Sequence, residues 1–190
     1  MSVNKKSKGE LASSRHASSV QQQAEEVPDL VHLCSFQVGE ESYVLDIMRI
    51  REIIRPIEPT PVRHGSPLVE GVIDLRGDVI PVVDLRLLLG LEETKRSRAT
   101  KQIIASVQGK LVGLTVDAVG RVIVVPRSEV RPLPTVTGKE GRSLPGVVSY
   151  RNHLYLLLNL GALLAGEGIS RDQLLKVRKG TEEMAGDSNE

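Results

Sequence analysis

Between about residues 30 and 165 the chain alternates short apolar runs with turns that carry Gly, Asn or Asp. Runs of that length, broken that often, predict strands rather than helices. Residues 33–38 and 42–47 flank Gly39-Glu40-Glu41, a hairpin signal. Residues 103–107 and 111–116 flank Gln108-Gly109-Lys110 in the same way. A third turn, Arg76-Gly77-Asp78, lies between Val72 and Val83, and a fourth, Tyr150-Arg151-Asn152-His153, separates 147–149 from 154–158. Gly and Asn suit the positive φ angles that tight hairpin turns require. Pro81, inside a strand pattern, predicts a sheet edge or a bulge there. The alternation stops at DLRLLLG and at NLGALLA, and each is predicted to add a short helical turn after its strand. In VLDIMRIREIIRP, residues Ile47, Ile50, Ile53 and Ile54 fall at helix-like or bent-strand spacing, with Arg49, Arg51 and Glu52 between them. That stretch reads either as a connection burying its isoleucines or as a surface for another protein.

The hairpins are of two kinds, and each kind occurs twice. At an offset of 75 residues, GVIDLRGDVIPVVDLRLLLG falls on GVVSYRNHLYLLLNLGALLA. Gly71 meets Gly146, Arg76 meets Arg151, Leu85 meets Leu160 and Leu89 meets Leu164. More loosely, SFQVGEESYVLDI resembles ASVQGKLVGLTVDAV, with Asp46 placed on Asp117. Two copies of roughly 60–65 residues follow, near 30–90 and 101–165, joined by the polar stretch EETKRSRATK. Four or five short strands per copy fit a small β-barrel. Either barrel alone would be marginal, so their apolar faces are expected to meet in one continuous core. The fold class is therefore mostly all-β.

Residues 1–28 are rich in Ser, Gln, Lys and Glu and are read as a disordered tail. In the extension 166–190, Ser170 is expected to cap a short helix bearing Leu174, Leu175 and Val177 before a second solvated tail. The folded part is thus 29–165. The N-terminal stretch lacks the apolar core of a signal peptide, and the longest greasy run, 154–166, is too short to span a bilayer. A cytoplasmic protein with no direct membrane insertion is expected.

Candidate chemistry is sparse. The net charge is +1 and there is one Phe, three Tyr and no Trp, so neither phosphate attraction nor base stacking is supported and no nucleic acid is expected. The alternative, an OB-like barrel holding nucleic acid or another ligand, is weakened accordingly. The single cysteine, Cys34, excludes an internal disulfide and reads as a small buried hydrophobe. His16, His32, His64 and His153 are scattered, without metal-ligand spacing. No Ser stands in a nucleophile elbow, and no glycine-rich loop opens a helix. Asp74 and Asp78 flank a turn, where Asp bonds the local backbone, and Arg76-Gly77-Asp78 is a hairpin turn rather than an adhesion tripeptide. No enzyme, metal or cofactor is predicted.

The ordered series FQVGEESYVLDI, IREII, GVIDLRGDVIPVVDLR, LVGLTVDAVGRVIVV, EVRPLP and GVVSYRNHLYLLLNL resembles the CheW family of bacterial chemotaxis coupling proteins. The resemblance implies two intertwined five-stranded SH3/OB-like barrels with a shared core and no catalysis. It implies an adaptor bridging methyl-accepting chemotaxis proteins to the regulatory domain of a CheA-type histidine kinase, with other CheW-like domains joining in rings. Receptor helix tips would dock in the groove between the barrels, at arrays on the inner face of the membrane. Glu52, in IREII, matches the family's acidic coupling residue, and Arg76, in DLRG, matches the arginine of its NLRG. Such a pair can bridge across the surface, contact the receptor, or do both. The partner-binding candidates are Ile50, Glu52, Ile53, Asp74, Arg76 and Gly77. Asp74 departs from the family's usual Asn and places a negative charge beside Arg76. The family also serves gliding, pilus and gene-control pathways, and the residues do not separate these from swimming.

Overall fold

The computed structural model describes residues 29–62, 66–133 and 142–166. The tail and helix expected at the two ends, and His16 and His64, lie outside the described residues. Among the described residues there are eleven strands: β1 (Leu30–Val38), β2 (Glu41–Asp46), β3 (Ile50–Ile54), β4 (Val69–Leu75), β5 (Asp78–Asp84), β6 (Lys101–Val107), β7 (Lys110–Val116), β8 (Ala118–Pro126), β9 (Arg131–Pro132), β10 (Gly146–Tyr150) and β11 (His153–Leu157). Two short helices, α1 (Leu85–Leu88) and α2 (Leu160–Gly166), follow β5 and β11 where the alternation stops.

One sheet runs β8-β1-β2-β11-β10-β9 and the other β3-β6-β7-β5-β4. In each, the two outermost strands are neighbours along the chain, which draws the sheet's edges together. A 3-10 turn, Arg127–Glu129, joins β8 to β9. Between β3 and β4 the connection pairs back on β4, with Thr60 and Val72 exchanging N–H···O bonds of 2.8 and 2.9 Å. The fully buried amide of Gln102 holds the same connection, accepting from the Ile57 N–H at 2.9 Å and donating to its carbonyl at 3.0 Å.

The sequence copies and the sheets do not coincide. Each sheet takes its first hairpin from one copy and its remaining strands from the other: β1 and β2 join β8–β11, while β6 and β7 join β3–β5. The parallel pairings make the equivalence explicit, since Val44 stands opposite Leu157 as Gly113 stands opposite Val82. Those partners are offset by 69 residues for the first hairpin (113 − 44) and by 75 for the second (157 − 82). Phe36 opposite Val119 and Ala105 opposite Ile50 repeat the offset of 69. Asp46 therefore corresponds to Thr115, not to Asp117 as the sequence comparison had it. A slip of two keeps every side chain on its face, so hydrophobic pattern alone cannot detect it.

The exchange of hairpins builds three packed clusters. The largest joins both sheets and both helices: Phe36, Tyr43 and Leu45 meet Ile103, Leu114, Leu85 and Leu160. Two smaller ones fill the barrels, Leu33, Val44, Ile123, Val125 and Val148 in one and Ile73, Ile80, Val82 and Ile104 in the other. Along β2 and β6 successive residues face opposite cores and both faces are buried, which is why these strands read as unbroken apolar runs. Cys34 is buried, and burial pushes its thiol pKa up, so it stays protonated.

Pro81 is not on an edge strand, because β5 lies between β7 and β4. The ladder to β7 begins at Val82, one residue past it, and the irregularity with β4 falls at Val69/Gly71. Asp84 caps α1, its carboxylate accepting the Arg86 N–H at 2.7 Å. Burial raises its pKa, opposed by the amides of Arg86 and Leu87 and reinforced by Glu70 and Asp117. A carboxyl raised on folding favours the native state below its unfolded pKa, and that contribution is lost as pH rises through the folded value. Asp84→Asn keeps a capping acceptor without the charge. Urea midpoints should therefore show the variant gaining on the parent protein as pH rises from about 4 to 7.

Candidate functional site

Two features of the surface bear on recognition. The first is the edge formed by β3 and the β4–β5 turn. Arg76 (φ +58) and Gly77 (φ +87) are the two central residues of a hairpin turn that demands positive φ at both. Asp74 stabilises it by accepting the Gly77 N–H at 2.8 Å. Its carboxylate is thus engaged with the backbone rather than with Arg76. The partner of Arg76 is Glu52, whose Oε2 lies 3.1 Å from Arg76 Nη2. The arginine side chain is 79% exposed and the glutamate 25%, so the pair contributes about 0–1 kcal/mol to stability. Glu52 is carried into place by a bulge between Ile50 and Glu52, with Arg51 as the extra residue. Ile50 packs against the shared core and Ile53 is exposed. The structure therefore brings Glu52 to Arg76 and Asp74 to Gly77, leaves Ile53 outward, and turns Ile50 inward. Met48, in the 3-10 turn before β3, is the most exposed large apolar residue of this stretch.

The second feature is a cleft of about 760 Å³ between the two sheets. Its apolar walls include Val31, Leu33 and Leu45 from one sheet, Val107 from the other and Leu160 from α2. Asp46, Arg49, Arg127 and Asn159 supply polar groups around them, and Gly161 and Ala162 keep one wall low. Asn159 caps α2 by accepting the Ala162 N–H at 3.1 Å. None of these lining residues was named as a partner-binding candidate from sequence, although Arg49 lies in the stretch read as a possible protein surface. A signal was nevertheless present, since at the 75-residue offset Gly161 and Ala162 replace Arg86 and Leu87.

His32 and His153 are exposed on different strands. On β8, Val122 and Val124 are exposed, as are Leu30 on β1 and Leu154 on β11. Among the described residues no helix is long and apolar enough to cross a membrane.

The sequence model of the CheW-like domain matches residues 32–168, nearly all of the described chain. The protein belongs to the CheW-like family. A chemotaxis protein CheW of Rhizobium meliloti (strain 1021) is 33% identical over 136 residues, 71% of this chain and 88% of that protein. Protein FrzA of Myxococcus xanthus is 27% identical over 139 residues, covering 72% of this chain and 86% of FrzA. Among solved structures, the scaffolding protein TtCheW from Thermoanaerobacter tengcongensis superposes with a TM-score of 0.66 at 30% identity, over 72% of this chain and 92% of that one. The CheW-like fold is thus the mostly-β pair of barrels found here.

Proposed function

We propose that this protein is a non-catalytic adaptor of a bacterial chemosensory array. It joins methyl-accepting chemotaxis proteins to the regulatory domain of a CheA-type histidine kinase, at the cytoplasmic face of the membrane. Its CheW-like membership, and relatives named as chemotaxis and scaffolding proteins, support the reading. One structural observation carries it furthest: an apolar cleft open between two barrels, edged by polar groups, fits a helix laid along it. Exposed apolar residues on β3 and β8 offer further surfaces for sister barrels. Individually weak contacts then gain strength from the array through effective concentration.

The edge formed by Glu52 and Arg76 serves as a receptor contact as well as an internal bridge. Arg76→Ala is expected to change unfolding free energy by less than about 1 kcal/mol. The same variant should bind receptor-containing membranes at least tenfold more weakly, a loss of about 1.4 kcal/mol or more. Urea unfolding and co-sedimentation measured side by side test this. Binding equal to that of the parent protein would reduce Arg76 to a turn residue.

A further inference from the structure

The duplicated fold builds a cleft at two equivalent places. One is open, and the stretch between the copies fills the other. Leu91 lies against Gly39, the Glu92 carbonyl accepts from Arg86 Nε at 2.9 Å, and Arg96 Nη2 reaches Glu70 at 2.6 Å. At the offsets of 69 and 75 residues, Gly39, Arg86 and Glu70 correspond to Gln108, Gly161 and Pro145, which all line the open cleft. Thr100, buried at the end of the filling stretch, corresponds to Val31, another lining residue. The apolar walls agree as well. Val38, Leu114, Val82 and Leu85 stand where the open cleft has Val107, Leu45, Leu157 and Leu160.

The charges do not agree. The open cleft carries Arg49 and Arg127 against one acid, Asp46. The filled one carries Glu58, Glu70 and Asp84, and Asp84 is close enough to Glu70 to feel its charge. Its own cation, Arg86, is already bound by Asp117 at 2.6 Å. The charge that answers the acids comes from the filling stretch, where Arg96 spans Glu58 at 3.0 Å and Glu70 at 2.6 Å. Thr115 steadies Glu70 by donating its hydroxyl at 2.9 Å. The rest of the stretch holds on weakly. Residues 92–99 are all exposed and bear no apolar side chain larger than alanine. Partly exposed ion pairs like those of Arg96 exchange at little cost. Both ends are fixed, Leu91 against the shared core and Thr100 by burial, so 92–99 can lift as a loop while both barrels stay folded.

We propose that the filled cleft is a second binding site, closed in the free protein by residues 92–99, and that it takes a non-helical partner segment carrying an arginine. The occupant already in place argues for that chemistry: a stretch without helix or strand over 92–97, with one guanidinium between two carboxylates. Being tethered, it competes at an effective concentration of about millimolar, so the site opens only to a partner supplied at comparable local concentration. The site differs from the open cleft in place and in sign, and it stands whatever fills that cleft.

The test uses the full chain with Arg96→Ala and, as probe, the synthetic peptide LEETKRSRAT, residues 91–100 of the protein itself. Trypsin cleavage after Lys95 and Arg98 reports the lid, and amide shifts in NMR spectra report binding. The variant should be cut there at least about threefold faster than the parent protein. The peptide should shift the amides of Gly39 and Thr115 in the variant, with half-saturation at about 1 mM, and leave their open-cleft counterparts Gln108 and Asp46 unmoved. The parent protein should need at least about tenfold more peptide, and a peptide carrying Arg96→Ala should bind the variant at least about tenfold more weakly. Cleavage unchanged in the variant, or equal affinity of parent and variant, overturns the lid. Faster cleavage without shifts at Gly39 and Thr115, or with shifts at Gln108 and Asp46 instead, overturns the site.

Discussion

Gly71→Ala is expected to lower the free energy of unfolding by about 3 kcal/mol or more, with the urea midpoint falling accordingly. Two causes add. The backbone of Gly71 has φ +156, a conformation almost confined to glycine, and a Cβ built there would stand 2.2 Å from the Thr60 carbonyl oxygen. That oxygen cannot retreat freely, because it accepts the Val72 N–H and helps tie the β3–β4 connection to the barrel edge. Gly77 supplies the contrast. It also has positive φ, but nothing lies within 4 Å of a Cβ there, so Gly77→Ala should cost only about 1 kcal/mol. Equal losses at the two positions would show that the edge closure at Thr60 is not what requires Gly71.

Ala162→Arg is expected to abolish partner docking while leaving the fold intact. Ala162 is half-buried and lines the cleft, on the first turn of α2, where arginine is a good helix former. The added guanidinium rises where the other copy carries Leu87, and it places a charge against apolar walls. Binding to receptor-containing membranes should fall by at least a factor of about 100, roughly 2.7 kcal/mol. The unfolding free energy should move by less than about 1 kcal/mol. Ala165→Arg is the control, exposed on the same helix and outside the cleft, and should bind as the parent protein does. Unimpaired docking by Ala162→Arg would place the partner elsewhere on the molecule.

Much of this architecture was legible in the chain because the information is local. The turns at Arg76-Gly77 and Arg151-Asn152 announce themselves by residue type, and all four residues take positive φ. The helical turns at α1 and α2 follow from the end of alternation. What was not legible depends on long-range pairing. That each sheet borrows a hairpin from the other copy is invisible to a comparison along one chain, because the copies look alike wherever they pair. The Asp46 and Asp117 match failed for the same reason that a strand's inside and outside repeat every two residues. At the candidate site, Glu52 and Arg76 were identified through family resemblance, and their 3.1 Å pairing across 24 positions then emerged from the fold. The local backbone bonding expected of an Asp in that turn is present at Asp74, which accepts the Gly77 amide. The cleft residues were missed because Gly161 and Ala162 carry no chemistry of their own. Their importance lies in what the other copy has in their place.

Non-catalytic bridging is the claim on which the rest depends, and assembly tests it directly. Purified protein, receptor-containing membranes and the kinase are mixed at micromolar concentration, and the pellet is assayed for kinase with and without the protein. The account predicts that kinase enters the pellet only when the protein is present, and that Ala162→Arg leaves it in the supernatant. Kinase remaining in the supernatant with the parent protein at saturating concentration would contradict it.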